Sequence, residues 1–182
     1  LVNEFEKKRA LDELPQSAAG KTIMTTEPKF IPATATKIKI DDFEAAIRMV
    51  DCVGYVIDGA KGYEDENGPR MVMTPWYSDP IPFVEAAEIR TEKVIKEHST
   101  IGIVMATDGS IGDIPRKEYV EAEEKVVEDL KSIGKPFIVI LNSVHSMLPE
   151  TEKLAQELKN KYDVPVIPIS VENMQERDMY YI

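Results

Sequence analysis

From residue 83 to residue 169 the sequence alternates helical and apolar segments, and that alternation leaves few folds open. Phe83 to Glu97 reads as a helix. Thr100 to Ala106 is an apolar strand built on Ile101-Gly102-Ile103-Val104-Met105. Lys117 to Ile133 is an amphipathic helix, with Tyr119, Val120, Ala122, Val126, Val127 and Leu130 on one broad side. Gly134 is a natural stop for it. Phe137 to Leu141 is a second apolar strand, Pro149 to Lys161 a helix with Leu154 and Leu158 inward, and Val164 to Ile169 a last strand. Near-continuous apolar strands separated by helices predict an α/β fold, a mostly parallel sheet with helices on both faces.

The first third of the chain is less regular. Residues 1–14 are charged, free of Gly and Pro, and compatible with a helix that Pro15 ends. Residues 16–32 read as an extended, hydroxyl-rich loop. Thr36 to Ile40 and Ile47 to Asp51 read as two strands. The short link through Asp41 and Asp42 predicts an antiparallel pair. Residues 55–82 form a long stretch rich in Gly and Pro, with Tyr63, Trp76 and Tyr77, of the kind that is functional or disordered. The chain of 182 residues suits one domain. It opens on Leu1 rather than Met, which is read as a piece of something larger.

Charge and cysteine content narrow the function. Lys plus Arg number 22 against 33 Asp plus Glu, a formal net charge of −11. Such a surface repels phosphate backbones and argues against a general nucleic-acid binder, though not against a pocket for one nucleotide. One cysteine, Cys52, excludes an internal disulfide framework and a multi-Cys zinc site. No apolar run approaches the roughly 20 residues of a membrane helix, so no direct membrane span is expected.

In parallel α/β sheets ligands bind beyond the carboxyl ends of the strands. Those ends are Asp51 to Gly54, Thr107-Asp108-Gly109, Asn142-Ser143 and Ser170-Val171. Asp51 follows an apolar strand as a Walker B acid would, and Gly54 stands three residues later, where a bare N–H can approach a γ-phosphate. The plainer reading makes Asp51 a strand-terminal acid capping a turn. Gly20-Lys21-Thr22 resembles the end of a Walker A loop, but the required first Gly is Pro15 and no strand precedes it. A phosphate loop, if this fold has one, therefore lies upstream of Leu1. Thr25-Thr26 lies where switch-type nucleotidases use a Thr hydroxyl on Mg²⁺ to sense the γ-phosphate; otherwise the two are ordinary β-formers before Glu27-Pro28. Asn142-Ser143-Val144-His145 stands where guanine readers carry Asn-Lys-x-Asp, and lacks both the Lys and the Asp, which makes adenine plausible. His98 and His145 have no spaced partner for a metal or triad.

Several long strings resemble the stage IV sporulation protein A family. They are residues 12–30, Val50-Asp51-Cys52-Val53-Gly54-Tyr55, residues 59–70, Thr74-Pro75-Trp76-Tyr77, Pro80-Ile81-Pro82-Phe83 and Glu97-His98-Ser99-Thr100. Divergence at residues 33–46 and 143–148 points to a homologue from another spore former, such as a clostridium. The resemblance implies a P-loop NTPase fold of the translation-factor-related GTPase type, with its first, phosphate-loop strand absent from this chain. Residues 1–182 would be a nucleotidase-domain fragment, with residues 16–32 a switch-like loop and 55–82 an insertion. The implied activity is ATP hydrolysis with Mg²⁺, driving a conformational change that polymerises the basement layer of the spore coat. By matching position, Asp51 is the Walker B acid holding the metal, Thr25 and Thr26 are sensor threonines, and Thr26 also faces the metal. Gly54, Asn142 and Ser143 are the expected nucleotide contacts. Implied partners are further copies of itself, other coat morphogenetic proteins and a small amphipathic membrane-anchoring peptide, with no nucleic acid. The implied location is the mother-cell cytoplasm at the forespore surface. Many switch GTPases place a water-orienting Gln directly after the Gly; here that residue is Tyr55, which predicts slow turnover. The fragment alone, lacking the Walker A lysine, is expected to be inactive. Trp76 and Tyr77 are either interface anchors or local packing under the loop. A nucleotide-independent coat scaffold and a regulatory GTPase are the alternatives to the assembly ATPase.

Overall fold

The computed structural model describes residues 28–175 except 41 and 67, together with 178 and 182. The predicted helix over 1–14, most of the 16–32 loop, and Thr25 and Thr26 lie outside the described residues.

The alternation from residue 83 onward folds as its pattern dictates. Strands β7 (Gly102–Thr107), β8 (Phe137–Asn142) and β9 (Val166–Ile169) form a parallel sheet in the order β7-β8-β9. Val104 pairs with Val139 and Val139 with Val166, so one face of the sheet is continuous across all three strands. Helices α2 (Val120–Ser132) and α3 (Pro149–Tyr162) make the crossovers. The core between them and the sheet holds Val104, Ala106, Val127, Leu130, Phe137, Val139, Leu141, Ala155, Leu158 and Tyr162. Gly134 ends α2 by donating its N–H to the carbonyl of Lys131, while Lys135 N–H reaches that of Leu130, the paired bonds of a Schellman stop.

The expectation of helices on both faces is corrected within the described residues. β-α-β crossovers share one hand, so two of them advancing in the same direction lay their helices on the same side. The opposite row is left open at β7, where Ile103 is 48% and Met105 54% exposed.

Upstream, β1 (Lys29–Ile40) and β2 (Phe43–Asp51) form the predicted antiparallel hairpin, with Ile38 opposite Ala45. The strand reaches back to Lys29, which corrects the loop predicted over residues 16–32: Phe30 pairs with Val50 and Lys29 with Asp51. An irregularity between Ile31 and Thr36 interrupts the ladder there, a position where a strand tolerates a proline such as Pro32. Phe30 lies edge-on to His98, with ring centroids 5.8 Å apart, and beneath the Arg48 guanidinium at 4.6 Å.

The long 55–82 stretch is not structureless. It carries two short ladders, β3 (Glu64–Asp65) with β4 (Gly68–Pro69) and β5 (Met71–Val72) with β6 (Ile81–Pro82). It is anchored because Val56, Ala60, Tyr63 and Val72, with Val53 just before it, pack on Phe83 and Ala87 of α1 (Phe83–Lys93), both with no exposed surface.

Candidate functional site

Asp51 ends β2, and its carboxyl is largely withdrawn from solvent. Burial pushes its pKa up, and the Cys52 backbone N–H partly counters this. Among the described residues no basic side chain pairs with it. A desolvated carboxyl without a cation is a site where a divalent ion would relieve a real cost. No cluster of three His, Cys, Asp or Glu capable of holding a metal occurs among the described residues. One carboxylate is nevertheless what Mg²⁺ needs from a protein, since the ion keeps most of its waters and takes phosphate oxygens. Asp51 therefore fits the ion. Cys52 beside it has its thiol pushed up, first by burial and also by Asp51, and stays neutral.

Gly54 follows with φ +77°, and a Cβ built there meets nothing within 4 Å. The conformation favours glycine, and the open space lets a ligand approach the backbone. Tyr55 turns away from that space. Its hydroxyl donates to Asp129 of α2, and the Lys125 ammonium sits 4.2 Å from its ring centroid. Burial, then the Asp129 carboxylate, raise the phenol well above its ordinary pKa. The side chain after the glycine is thus fixed to a helix.

The carboxyl ends of β7, β8 and β9 make one hydrogen-bonded rim. Asn142 Oδ1 accepts the Val171 N–H at 3.0 Å, tying the end of β8 to the turn after β9. Its Nδ2 has no partner among the described residues. Ser143 is expected from sequence as a nucleotide contact, yet it has no exposed surface. Its hydroxyl donates to Asp108 Oδ2 at 2.5 Å and accepts the His145 N–H at 2.9 Å. Ser143 thus holds the rim together, and its hydroxyl is spent inside it. Asp108 Oδ1 also accepts the Ser110 N–H at 2.9 Å and the Ser110 hydroxyl at 2.5 Å. Ser110 Oγ in turn accepts the Val144 N–H at 3.0 Å. Gly109 sits between these groups with φ +89°, and a Cβ there would lie 2.8 Å from the Arg116 nitrogen, so no other residue fits the turn.

Burial raises the Asp108 carboxyl, but hydrogen bonds from Ser110 and Ser143 outweigh it and leave the pKa below the ordinary value. A depressed carboxyl contributes stability above its unfolded pKa and loses it as pH falls through the folded one. Full-length Asp108→Asn should therefore be less stable than wild type at pH 7, and the gap should close as pH falls and wild type takes up the proton that the variant cannot. A denaturant midpoint followed from pH 7 to about pH 3 checks this.

A cleft of about 410 Å³ lies between residues 58–61 and 113–118, lined by Asp58, Gly59, Lys61, Asp113, Ile114, Pro115 and Glu118. Three carboxylates against one lysine disfavour a polyphosphate, so this cleft is no competitor to the strand ends. Trp76 is 45% and Tyr77 47% exposed. One part of Trp76 is local packing, since Arg90 and Lys93 lie 5.5 and 5.0 Å from its ring centroid; the rest faces outward.

Sequence reasoning missed Asp108 as a partner of Ser143. The Asp-Gly pair announces a turn, but nothing local announces an acceptor for a hydroxyl 35 residues away. It also missed the ion pair in which the half-buried Arg116 holds the buried Glu123 through two bonds of 2.7 Å.

Comparison with known sequences adds an independent finding. Residues 1–182 match the profile of a family described as "Stage IV sporulation protein A, ATPase domain". The chain is 63% identical over 183 residues to "Stage IV sporulation protein A" of Bacillus anthracis, covering 100% of this chain and 37% of the relative. It is 64% identical over 180 residues to the Bacillus subtilis (strain 168) protein of that name, covering 98% and 37%. It is 54% identical over 178 residues to that of Clostridioides difficile (strain 630), covering 97% and 36%. The chain thus spans little more than a third of the length of these curated relatives. No solved structure matches it.

Proposed function

Since the chain belongs to the family described as Stage IV sporulation protein A, ATPase domain, we propose that it carries the nucleotide-hydrolysing machinery of a spore-coat assembly protein. The fold is read as that of a P-loop NTPase of the translation-factor-related type, with the phosphate loop supplied by sequence outside this chain. The observation that carries the reading is the pairing of Asp51, a desolvated carboxyl at a strand exit, with the open backbone of Gly54 three residues on.

Asp51 would hold the hydrated metal, and the Thr26 hydroxyl would be its second protein contact. Thr25 senses the γ-phosphate and Gly54 N–H approaches it. Asn142 contributes at the base end of the nucleotide. A bound Mg²⁺ would supply positive charge to offset that of the phosphates. Tyr55, fixed to Asp129, is not placed to orient the attacking water, which supports slow turnover. The segment alone, without a Walker A lysine, is inactive in this reading.

Hydrolysis moves the part of the switch-like segment that precedes β1, and the 55–82 segment passes the change to a neighbouring copy through the outward part of Trp76 and Tyr77. The product is a homopolymer at the forespore surface, in the mother-cell cytoplasm. Other coat morphogenetic proteins and a small amphipathic anchoring peptide are its partners. No helix among the described residues is long and apolar enough to cross a membrane. Hydrolysis and pelleting by full-length protein, with ATP and GTP in competition, test the reading. ATP preferred by at least about tenfold and polymer dependent on ATP support it. GTP preferred makes the protein a GTPase, and polymer indifferent to both makes it a scaffold.

A further inference from the structure

We infer that Tyr55 is a positioning residue: by anchoring the chain just after Gly54 to α2 it fixes the direction of the Gly54 N–H, and so sets how strongly the site prefers a nucleoside triphosphate to the diphosphate. The inference deepens the reading above, in which that N–H approaches a γ-phosphate, and it rests on that reading.

Glycine takes positive and negative φ at nearly equal cost, so Gly54 cannot by itself hold its φ of +77°. Upstream the turn is fixed by the ladder, where Asp51 pairs with Lys29. Beyond it, no hydrogen bond between main-chain groups holds residues 53–56 among the described residues. Val53 and Val56 pack on Phe83 and Ala87. Such contacts place the turn, but they are non-directional and leave its peptide planes free to rotate.

Tyr55 supplies the missing direction. Its hydroxyl donates to Asp129 Oδ2, 74 positions away. Asp129 stands on a firm support, because Val127 and Leu130 of the same helix are buried in the sheet core. Lys125, one turn before Asp129, lies 4.2 Å from the Tyr55 ring centroid and is itself paired with Glu88 of α1 at 2.7 Å. Burial first, and the Asp129 carboxylate next, raise the phenol, so the hydroxyl keeps the proton it donates. Held at ring and hydroxyl, Tyr55 ties the peptide plane after Gly54 to two helices. Only the two soft dihedrals of Gly54 separate that plane from the one carrying its N–H. With both flanks fixed, they have no room to flip.

A diphosphate has no γ-phosphate for that N–H to meet. Loss of the anchor should therefore fall on the triphosphate alone, whereas a general structural fault would weaken both nucleotides. Equilibrium binding of ADP and of adenylyl imidodiphosphate, an ATP analogue that resists hydrolysis, to full-length protein with Mg²⁺ provides the test. Tyr55→Phe keeps the ring beneath Lys125 and removes only the hydroxyl. It should leave ADP binding within about twofold and lower the preference for the analogue about 5- to 20-fold, the scale of coupling between linked sites. Asp129→Ala should lower it by the same factor, and the double variant no further, since both remove one bond. Asp129→Asn keeps an acceptor for the hydroxyl and should restore most of the preference. A preference unchanged in Tyr55→Phe overturns the inference and leaves the nucleotide reading standing. So do losses that multiply in the double variant, and so does Asp129→Asn behaving like Asp129→Ala. Wild type that binds the two nucleotides equally overturns the inference together with the Gly54 contact, and wild type that binds neither takes the whole nucleotide reading with it. If Tyr55→Phe or Asp129→Ala fails to fold, the other decides by the same criterion.

Discussion

Full-length protein carrying Asp51→Ala should hydrolyse ATP about 10²–10³-fold more slowly than wild type, the scale for losing one electrostatic contact to a phosphoryl-transfer transition state. The structural reason is that nothing nearby can substitute. Among the described residues no metal-binding cluster exists, so removing this carboxyl leaves the ion only threonine and phosphate contacts. The fold itself should be spared. Burial of Asp51 raises its pKa, which means the ionised form is a cost to the unliganded protein. Alanine there removes that cost, and amide protection in β7 to β9 should be unchanged or higher. Slow hydrolysis with intact protection is the expected pair of results. Unchanged hydrolysis would remove Asp51 from the metal site and return it to the plain role of a turn acid.

Glu123→Ala should have the opposite profile, destabilising the domain by about 1–3 kcal/mol, because it leaves the buried Tyr162 hydroxyl and the half-buried Arg116 without their acceptor. Glu123 is 5% exposed and lies on the inner side of α2. Both of its oxygens accept from Arg116 at 2.7 Å, and Oε1 also accepts from the Tyr162 hydroxyl at 2.6 Å. One carboxylate thus joins the turn before α2, α2 itself and the end of α3. Hydrogen exchange of β8 amides in the full-length protein measures the loss without requiring a single global transition. Glu123→Gln keeps the shape and should lose less. Protection unchanged in Glu123→Ala would show that the network adds nothing beyond the surrounding apolar packing.

The parallel sheet was legible because its strands must be apolar along their whole length, and no exposed element needs to be. The stop of α2 and the start of α3 were legible from Gly134 and Pro149. Glu123 was not, because charge marks a residue as solvent-facing unless its partner is known. Arg116 is seven positions away, and Tyr162 39. The backward reach of β1 to Lys29 was hidden by Pro32, which reads as a loop until an opposing strand supplies the pairing. Asp51 and Gly54 could be singled out as candidates because the proposed chemistry depends on three residues of spacing. The burial of Ser143 was not visible, since a short polar residue after a strand looks the same whether it faces a ligand or a neighbouring loop.

The uncovered isoleucine and methionine of β7 have a practical consequence for assays of assembly. Any recombinant piece that leaves this row wet carries a sticky flank of its own, and will sediment by indiscriminate clumping. Turbidity from truncated material therefore says little about the native filament. Only sediment that appears with ATP and vanishes in a hydrolysis-dead variant of equal length reports on it.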